Sequence, residues 1–231
     1  CTELRLWIEE AEKMGEVRRV EGADWVHEMG ALTELASQMD PMPSLLFDKI
    51  KGYPEGYRVI TNTLASVRKV ALTFGMPTDL SNLDFVKKWR EMAGSFKPIP
   101  PVVVKDGPIL ENVQQGKDVN VLKFPTPKWH EHDGGRYIGT GDMVITRHPD
   151  EGWVNTGTYR VMIHDEQSVG VHIALAHHGA MHIRKAFRPL LCAGLCAVLP
   201  YTQAQAKEPA LHLTAASTYY DNRSTALDLV Q

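Results

Sequence analysis

In residues 152–164, GWVNTGTYRVMIH, an amide at Asn155 and a guanidinium at Arg160 stand five positions apart inside what otherwise reads as a β-strand. Aromatic and β-branched residues account for a strand; an Asn, a glycine at Gly157 and an Arg do not. Asn155 offers a neutral carbonyl oxygen, a ligand suited to hard divalent ions such as Mg2+ or Mn2+. With an imidazole and a carboxylate it would leave metal positions open for a phosphate. Arg160 offers a planar fork matched to a carboxylate or a phosphate. Strict alternation sends the two side chains to opposite faces of a sheet, and a bulge or twist at Gly157 would turn both toward one cleft.

Imidazoles are close by. Of ten histidines, His130, His132, His148, His164 and His172 fall in one segment, and His177, His178 and His182 follow. Taken singly, each reads as a surface or capped residue. The pair His177-His178 carries more weight, because it ends an expected strand and opens an expected helix. Strand ends project side chains into clefts, and a helix N-terminus offers free N–H groups to an anion. In WHEHDGG, by contrast, His130, His132 and Asp133 precede Gly134-Gly135 and are expected to serve a turn or rim rather than a metal.

The elements that must position these groups fall into two parts. Residues 2–14 place Leu4, Trp7, Ile8, Ala11 and Met14 on one helical face, with Thr2 as cap and Gly15 as terminator. EVRRVEG reads as a strand, and Asp24 is expected to cap a helix through residue 39. SLLFDKI and RVITNTL read as strands around a GYPEGY turn, followed by helices at 66–74 and 81–93. Residues 1–97 thus form a small α/β unit, and the proline-rich FKPIPPVVVKDGP makes 98–118 an extended connector. From residue 119 to 231 the pattern is β-rich: VNVLKFP, DMVITRH, WVNTGTYRVMIH and VGVHIALAHH, broken by HPDEG and HDEQS turns that suggest antiparallel hairpins. GAMHIRKAF reads as a helix. The fold class is α+β.

Composition bounds the function. The chain has 231 residues, 43% hydrophobic and 23% charged, with a formal net charge of −3 and a pI near 6.4. That is globular, and it argues against a nucleic-acid footprint. The basic pairs Arg18-Arg19 and Lys87-Lys88 are flanked by acids and read as solvated faces. Three cysteines, Cys1, Cys192 and Cys196, fit a reducing, cytoplasmic setting; the latter two lie in LLCAGLCAVLP, where buried thiols are expected. That run is too short to span a bilayer, so no membrane role is expected.

AEKMGEVRRV, followed by LLFDKIKGYPEGYRVITNTLASVRKVALTFGMP, resembles the N-terminal region of the UbiD-like decarboxylases. FPTPKWHEHDGGRYIGTGDMVITRHPDEGWVNTGTYRVMIH with HHGAMHIRKA is similar to the start of their flavin-binding domain. The resemblance implies reversible, non-oxidative decarboxylation of an aromatic or α,β-unsaturated carboxylic acid with prenylated FMN. Its phosphate would be held through Mn2+, with K+ nearby. Asn155 and His178 take the positions of metal ligands, and Arg160 that of the catalytic Arg meeting cofactor and substrate carboxylate. Thr140, Trp153 and His177 take cofactor-lining positions. The second domain is expected to be a partial split β-barrel, and the protein a homo-oligomer. KWHEHDGGRYIGTG favours phenolic acids.

The likeness is expected to cover residues 3–186, with an atypical tail at 187–231. A third metal ligand, a Glu, belongs in that tail, yet its acids are Glu208, Asp221 and Asp228 in other contexts. The family's catalytic glutamates and oligomerisation domain are expected beyond Gln231, and the start at Cys1 suggests a missing N-terminus. A fragment, an altered reading frame or a divergent subunit would each account for this. A non-catalytic flavin- or metal-binding subunit and an FMN reductase on a similar barrel are the alternatives.

Overall fold

The computed structural model describes residues 3–100, 102–107 and 110–186, and the backbone of the short strands Leu213–Ala216 and Asp228–Leu229. The expected Thr2 cap, the three cysteines, and Glu208 and Asp221 lie outside these residues. The chain divides into two units, the first taking residues 3–111 and 123–136, the second residues 112–122 and 137–186 with the two short strands.

In the first unit, the run Leu45-Leu46-Phe47 is apolar without interruption, the pattern of a strand covered on both faces. It lies in the middle of a sheet ordered β1 (Val17–Glu21), β2 (Ser44–Asp48), β3 (Val59–Thr61), parallel between β1 and β2 and antiparallel between β2 and β3. The parallel pair requires a crossover, supplied by α2 (Glu28–Ser37). Alternation then sorts the strand. Leu45 and Phe47 pack with Met29, Ala36 and Val59 on the α2 side. Leu46 and Ile60 pack with Trp7, Ile8 and Ala11 of α1 (Leu4–Lys13) and with Leu72 of α3 (Val67–Thr73). The fully buried Lys69 of α3 is satisfied by the carbonyls of Met42 (2.8 Å) and Asn62 (2.9 Å) and by Ser44 Oγ (3.3 Å). Helix α4 (Asn82–Ser95), capped by Ser81, buries no residue, and the following connector leaves Ile99, Val102, Val103 and Val104 exposed.

Two expectations change here. Helix α2 begins at Glu28, not directly after Asp24. The carboxylate of Asp24 accepts the Val26 N–H (2.9 Å), and Val26 is drawn into a parallel bridge with Lys128, so residues 24–27 are held out of the helix. VNVLKFP is not a strand but a 3-10 turn at Val121–Lys123. Its Val121 is buried and gives its N–H to the Glu166 carbonyl (2.8 Å) instead of to a ladder.

The second unit is a five-stranded sheet ordered β6 (Val169–His172), β5 (Val154–Ile163), β4 (Arg136–Arg147), β7 (Leu213–Ala216), β8 (Asp228–Leu229). Turns at 148–152 and 164–168 make the expected hairpins, the second held by Asp165, whose carboxylate accepts the N–H groups of Gln167 and Ser168 (2.8 Å each). Val144, Tyr159 and Val161 form its core with Ile138, Val169, Val171 and Ile173. Helix α5 (His178–Ala186) packs on β5 and buries Gly179, Ala180 and His182. Among the described residues no helix is long and apolar enough to cross a membrane.

One position tests the first unit. The backbone of Trp129 crosses α2 at Gly30, where a Cβ would overlap the Trp129 carbonyl. Alanine ordinarily favours a helix by about 1 kcal/mol over glycine. Gly30→Ala is nevertheless expected to destabilise by about 1–3 kcal/mol through overpacking, read as a lower urea midpoint at unchanged slope.

Candidate functional site

The β4–β5 turn sets the geometry. Gly152, at φ 76°, donates to the His148 carbonyl (3.0 Å), the His148 N–H donates to Trp153 O (2.8 Å), and Arg147 donates to the Gly152 carbonyl (2.7 Å). This holds the Trp153 ring, stacked 5.5 Å from His148, against helix α5. There it lies 4.2 Å from the His182 ring and 5.7 Å from that of His178, edge to face with both.

Strand β5 alternates without a break. Tyr159, Val161 and Ile163 are buried and Asn155 and Gly157 half-buried, while Thr156, Thr158 and Arg160 are exposed. The proposed turning point at Gly157 is therefore corrected: no bulge sits there, and Asn155 and Arg160 face opposite sides of the sheet. Gly157 has a different task, since a Cβ would overlap the ring of Tyr159, which folds back over it. The slip in alternation is on β4, where Gly139 and Asp142 are buried and Thr140 and Gly141 between them exposed, the pattern of a bulge. Thr140 sits at that slip, and Gly141 lies beside Thr158, where a Cβ would stand 3.5 Å from its methyl.

His177 and His178 are also placed differently from expectation. Strand β6 ends at His172, and residues 173–177 turn, so the pair does not end a strand. His177 closes that turn through its N–H to Ala174 O (3.0 Å). Its carbonyl accepts the N–H groups of Ala180 (3.0 Å) and Met181 (3.3 Å), which starts α5 with His178 as first residue. The His177 ring lies 5.7 Å from that of Tyr159. Trp153, Tyr159, His177 and His178 thus gather where the helix N-terminus meets the covered face of the sheet, the face of β5 that also carries Asn155.

Because β6 pairs with β5 only over Arg160–Ile163, residues 154–159 have no strand partner on that side among the described residues. Asn155 lies on this open stretch and Arg160 at the start of the paired one, on the opposite face. The side-chain amide nitrogen of Asn155, Nδ2, is also buried with no hydrogen-bond partner among the described residues. Nitrogen and oxygen of an amide are told apart by their partners, so turning the amide over would place its oxygen, a ligand for a hard cation, at that unpartnered position. Helix N-terminus, imidazole and amide together fit a divalent ion bridging to a phosphate. Among the described residues no cluster of three His, Cys, Asp or Glu forms, so a further ligand must complete such a centre.

At the other cluster, the Asp133 carboxylate accepts the His130 N–H (3.0 Å), and its own N–H returns to the His130 carbonyl (3.2 Å). This closes a turn that leaves His130 and His132 exposed.

Two groups escaped the sequence reading as site residues. His182 is 1% exposed, bonded through Nδ1 to Thr146 Oγ1 (2.8 Å), and burial first, then the neighbouring His148 and His178, hold its pKa below the usual imidazole value. Its spacing of four from His178 was the available signal. Asp142 is 2% exposed, neither carboxylate oxygen has a partner among the described residues, and burial raises its pKa to about 7. Nothing in GDMVITR marks that aspartate as the one turned inward.

Comparison with known proteins gives a consistent result. A family model described as the 3-octaprenyl-4-hydroxybenzoate carboxy-lyase Rift-related domain matches residues 101–224, and the N-terminal domain of the same carboxy-lyase matches residues 8–89. The match runs beyond residue 186, so the tail expected to be atypical lies largely within the matched domain. The phenolic acid decarboxylase of Sedimentibacter hydroxybenzoicus is 33% identical over 192 residues, covering 80% of this chain and 39% of the relative. The pyrrole-2-carboxylic acid decarboxylase of Pseudomonas aeruginosa is 33% identical over 171 residues, covering 71% of this chain and 34% of its own length. The closed form of vanillic acid decarboxylase from Sedimentibacter hydroxybenzoicus superposes with a TM-score of 0.73 at 32% identity, over 82% of this chain and 40% of that one. The chain spans about two fifths of the length of the curated relatives it matches.

Asp142 generates a pH prediction. Its folded pKa, about 7, lies above the ordinary 3.8, so the folded state holds the extra proton between those values. The stability tied to the neutral acid is complete below pH 3.8 and lost as pH rises toward about 7. Each pH unit is worth about 1.4 kcal/mol, so Asp142→Asn is expected to gain on the wild type by roughly 4 kcal/mol across that window. Denaturation at several pH values measures it; a constant difference would show a carboxylate that stays charged.

Proposed function

The chain belongs to the UbiD family of carboxy-lyases, and from that premise we propose that its protein decarboxylates an aromatic or α,β-unsaturated carboxylic acid, reversibly and without oxidation. Phenolic acids are the favoured substrates. The cofactor is prenylated FMN, held with Mn2+ and K+ on a partial split-barrel domain following an N-terminal domain at 1–97 and a connector at 98–118. The protein acts in the cytoplasm as a homo-oligomer. The observation that supports this reading is the packing of the His178-led N-terminus of α5 against Trp153 and Tyr159, on the face of β5 that also carries Asn155 with its buried amide nitrogen, unpartnered among the described residues.

In this proposal Asn155 and His178 hold the metal, and the first turn of α5 adds its free N–H groups and positive dipole end for a phosphate. Thr140, Trp153 and His177 line the cofactor. Trp153 screens one side of His178 from water, and its indole N–H is held by Glu151 (3.0 Å). Arg160, exposed on the opposite face next to the open edge, takes the substrate carboxylate in its fork and fixes it before C–C cleavage. Loss of CO2 leaves an electron pair on carbon, and prenylated FMN, when bound, supplies the sink that accepts it. Arg160 also compensates the carboxylate charge, which no neutral side chain on that face does.

Two outcomes test this in the intact protein. Arg160→Lys is expected to keep fold and flavin but lower turnover by about 100-fold, since a point charge does not reproduce the two-pronged hold. Near-normal turnover with verified cofactor would make Arg160 scaffold. His178→Ala is expected to lose Mn2+ retention, read by metal analysis after gel filtration, with little change in melting temperature because His178 is exposed. Flavin bound without turnover in the wild type would favour a non-catalytic subunit, and nicotinamide-driven reduction of plain FMN would favour a reductase.

A further inference from the structure

Helix α5 has nine residues, of which Gly179, Ala180 and His182 are buried. So short a helix resting on two small residues has little to fix its rotation. One residue of slip turns a helix by about 100° and moves it about 1.5 Å along its axis, enough to carry its first side chain away from any ligand partner. The bare backbone of Gly179 against the Tyr159 hydroxyl opposes such a slip, and a hydrogen bond from the helix to one atom of the sheet opposes it further.

That bond exists. His182 Nδ1 lies 2.8 Å from Thr146 Oγ1, and both residues are buried, at 1% and 2% exposure. Thr146 is on the covered side of β4 with Val144 and with His148, which follows the strand. The His182 ring then closes a cluster, 4.2 Å from Trp153 and 5.3 Å from His148. Nε2 is buried without an oxygen or nitrogen partner among the described residues, and its edge-to-face ring contacts are the remaining outlet for an N–H. A leucine would fill this space without an unpaired nitrogen, so the imidazole is not explained by packing alone. His178 is one turn earlier on the same face of α5, since positions four apart stand one above the other. The same Trp153 ring touches both.

We infer that His182 is the positioning residue for the metal centre proposed above: its bond to Thr146 sets the register of α5 on the sheet and so fixes where His178 presents its imidazole beside Asn155. The inference rests on that reading of His178 and Asn155. His182 touches neither substrate nor cofactor in it and acts through His178.

The test uses the full-length protein stripped of metal and titrated with Mn2+ by calorimetry, with melting temperature recorded for each variant. Thr146→Val and His182→Leu each remove the bond while keeping volume, and His182→Asn keeps an amide able to meet Thr146. The expected result is Mn2+ affinity lowered about 10-fold or more in Thr146→Val and in His182→Leu. The double variant should be no worse than either single one, because one bond is lost in all three. His182→Asn should recover part of the affinity. Unchanged affinity in Thr146→Val and His182→Leu, with only melting temperature reduced, would overturn the inference, and so would additive effects in the double variant. His178→Ala separates the two readings. If it abolishes Mn2+ binding while His182→Leu does not, the positioning role alone falls. If wild type and His178→Ala bind Mn2+ equally, the metal assignment falls and the positioning role with it.

Discussion

The close approach of α5 to β5 is the constraint on which the candidate site depends. A Cβ at Gly179 would stand 2.9 Å from the Tyr159 hydroxyl, so only a bare backbone lets the helix settle there. Tyr159 in turn needs Gly157, because its ring lies over that residue. Two glycines and one tyrosine therefore set how near the helix N-terminus comes to the strand, and with it the distance between an imidazole and an amide. The Asn and the Gly of the strand lie in one arrangement: Asn155 is the proposed ligand, and Gly157 clears the space for the Tyr159 ring against which the helix rests.

Much of this was legible in the sequence because it rests on short-range rules. The apolar run of β2, the helices at 66–74 and 81–93, the two hairpin turns and the helix in GAMHIRKAF each follow from local pattern, and each is found within a residue or two of where the pattern puts it. The failures share a cause in contacts distant along the chain. Asp24 has the chemistry of a cap, but a bridge from Val26 to Lys128 delays the helix by a full turn. VNVLKFP alternates like a strand, yet Val121 is claimed by Glu166. The bulge was assigned to the glycine at 157, but the slip in burial falls at Thr140-Gly141, because Asp142 turns inward against Gly139. Burial of a lone aspartate is a tertiary outcome, and no periodicity announces it.

The site residues divide in the same way. Residue types at Asn155 and Arg160 and the place of the pair His177-His178 pointed to metal and anion chemistry, and Trp153 and Thr140 entered through resemblance alone. The sheet puts Asn155 and Arg160 on opposite faces with no bulge at Gly157, and the shortness of β6 leaves residues 154–159 without a strand partner on that side among the described residues. Strand length at an edge depends on where the partner chain stops, here at His172, which sequence alternation through VGVHIALAHH did not reveal. The tail from residue 187 read as foreign, yet the family match extends to residue 224.

The most direct test of the central claim is anomalous diffraction at the manganese edge from crystals of the intact protein loaded with prenylated FMN. The expected result is a peak within about 2.0–2.3 Å of the Asn155 side-chain oxygen and the His178 imidazole, the range for divalent ions with such ligands. A peak at His130 and His132, or flavin density with no anomalous peak near α5, would contradict the account.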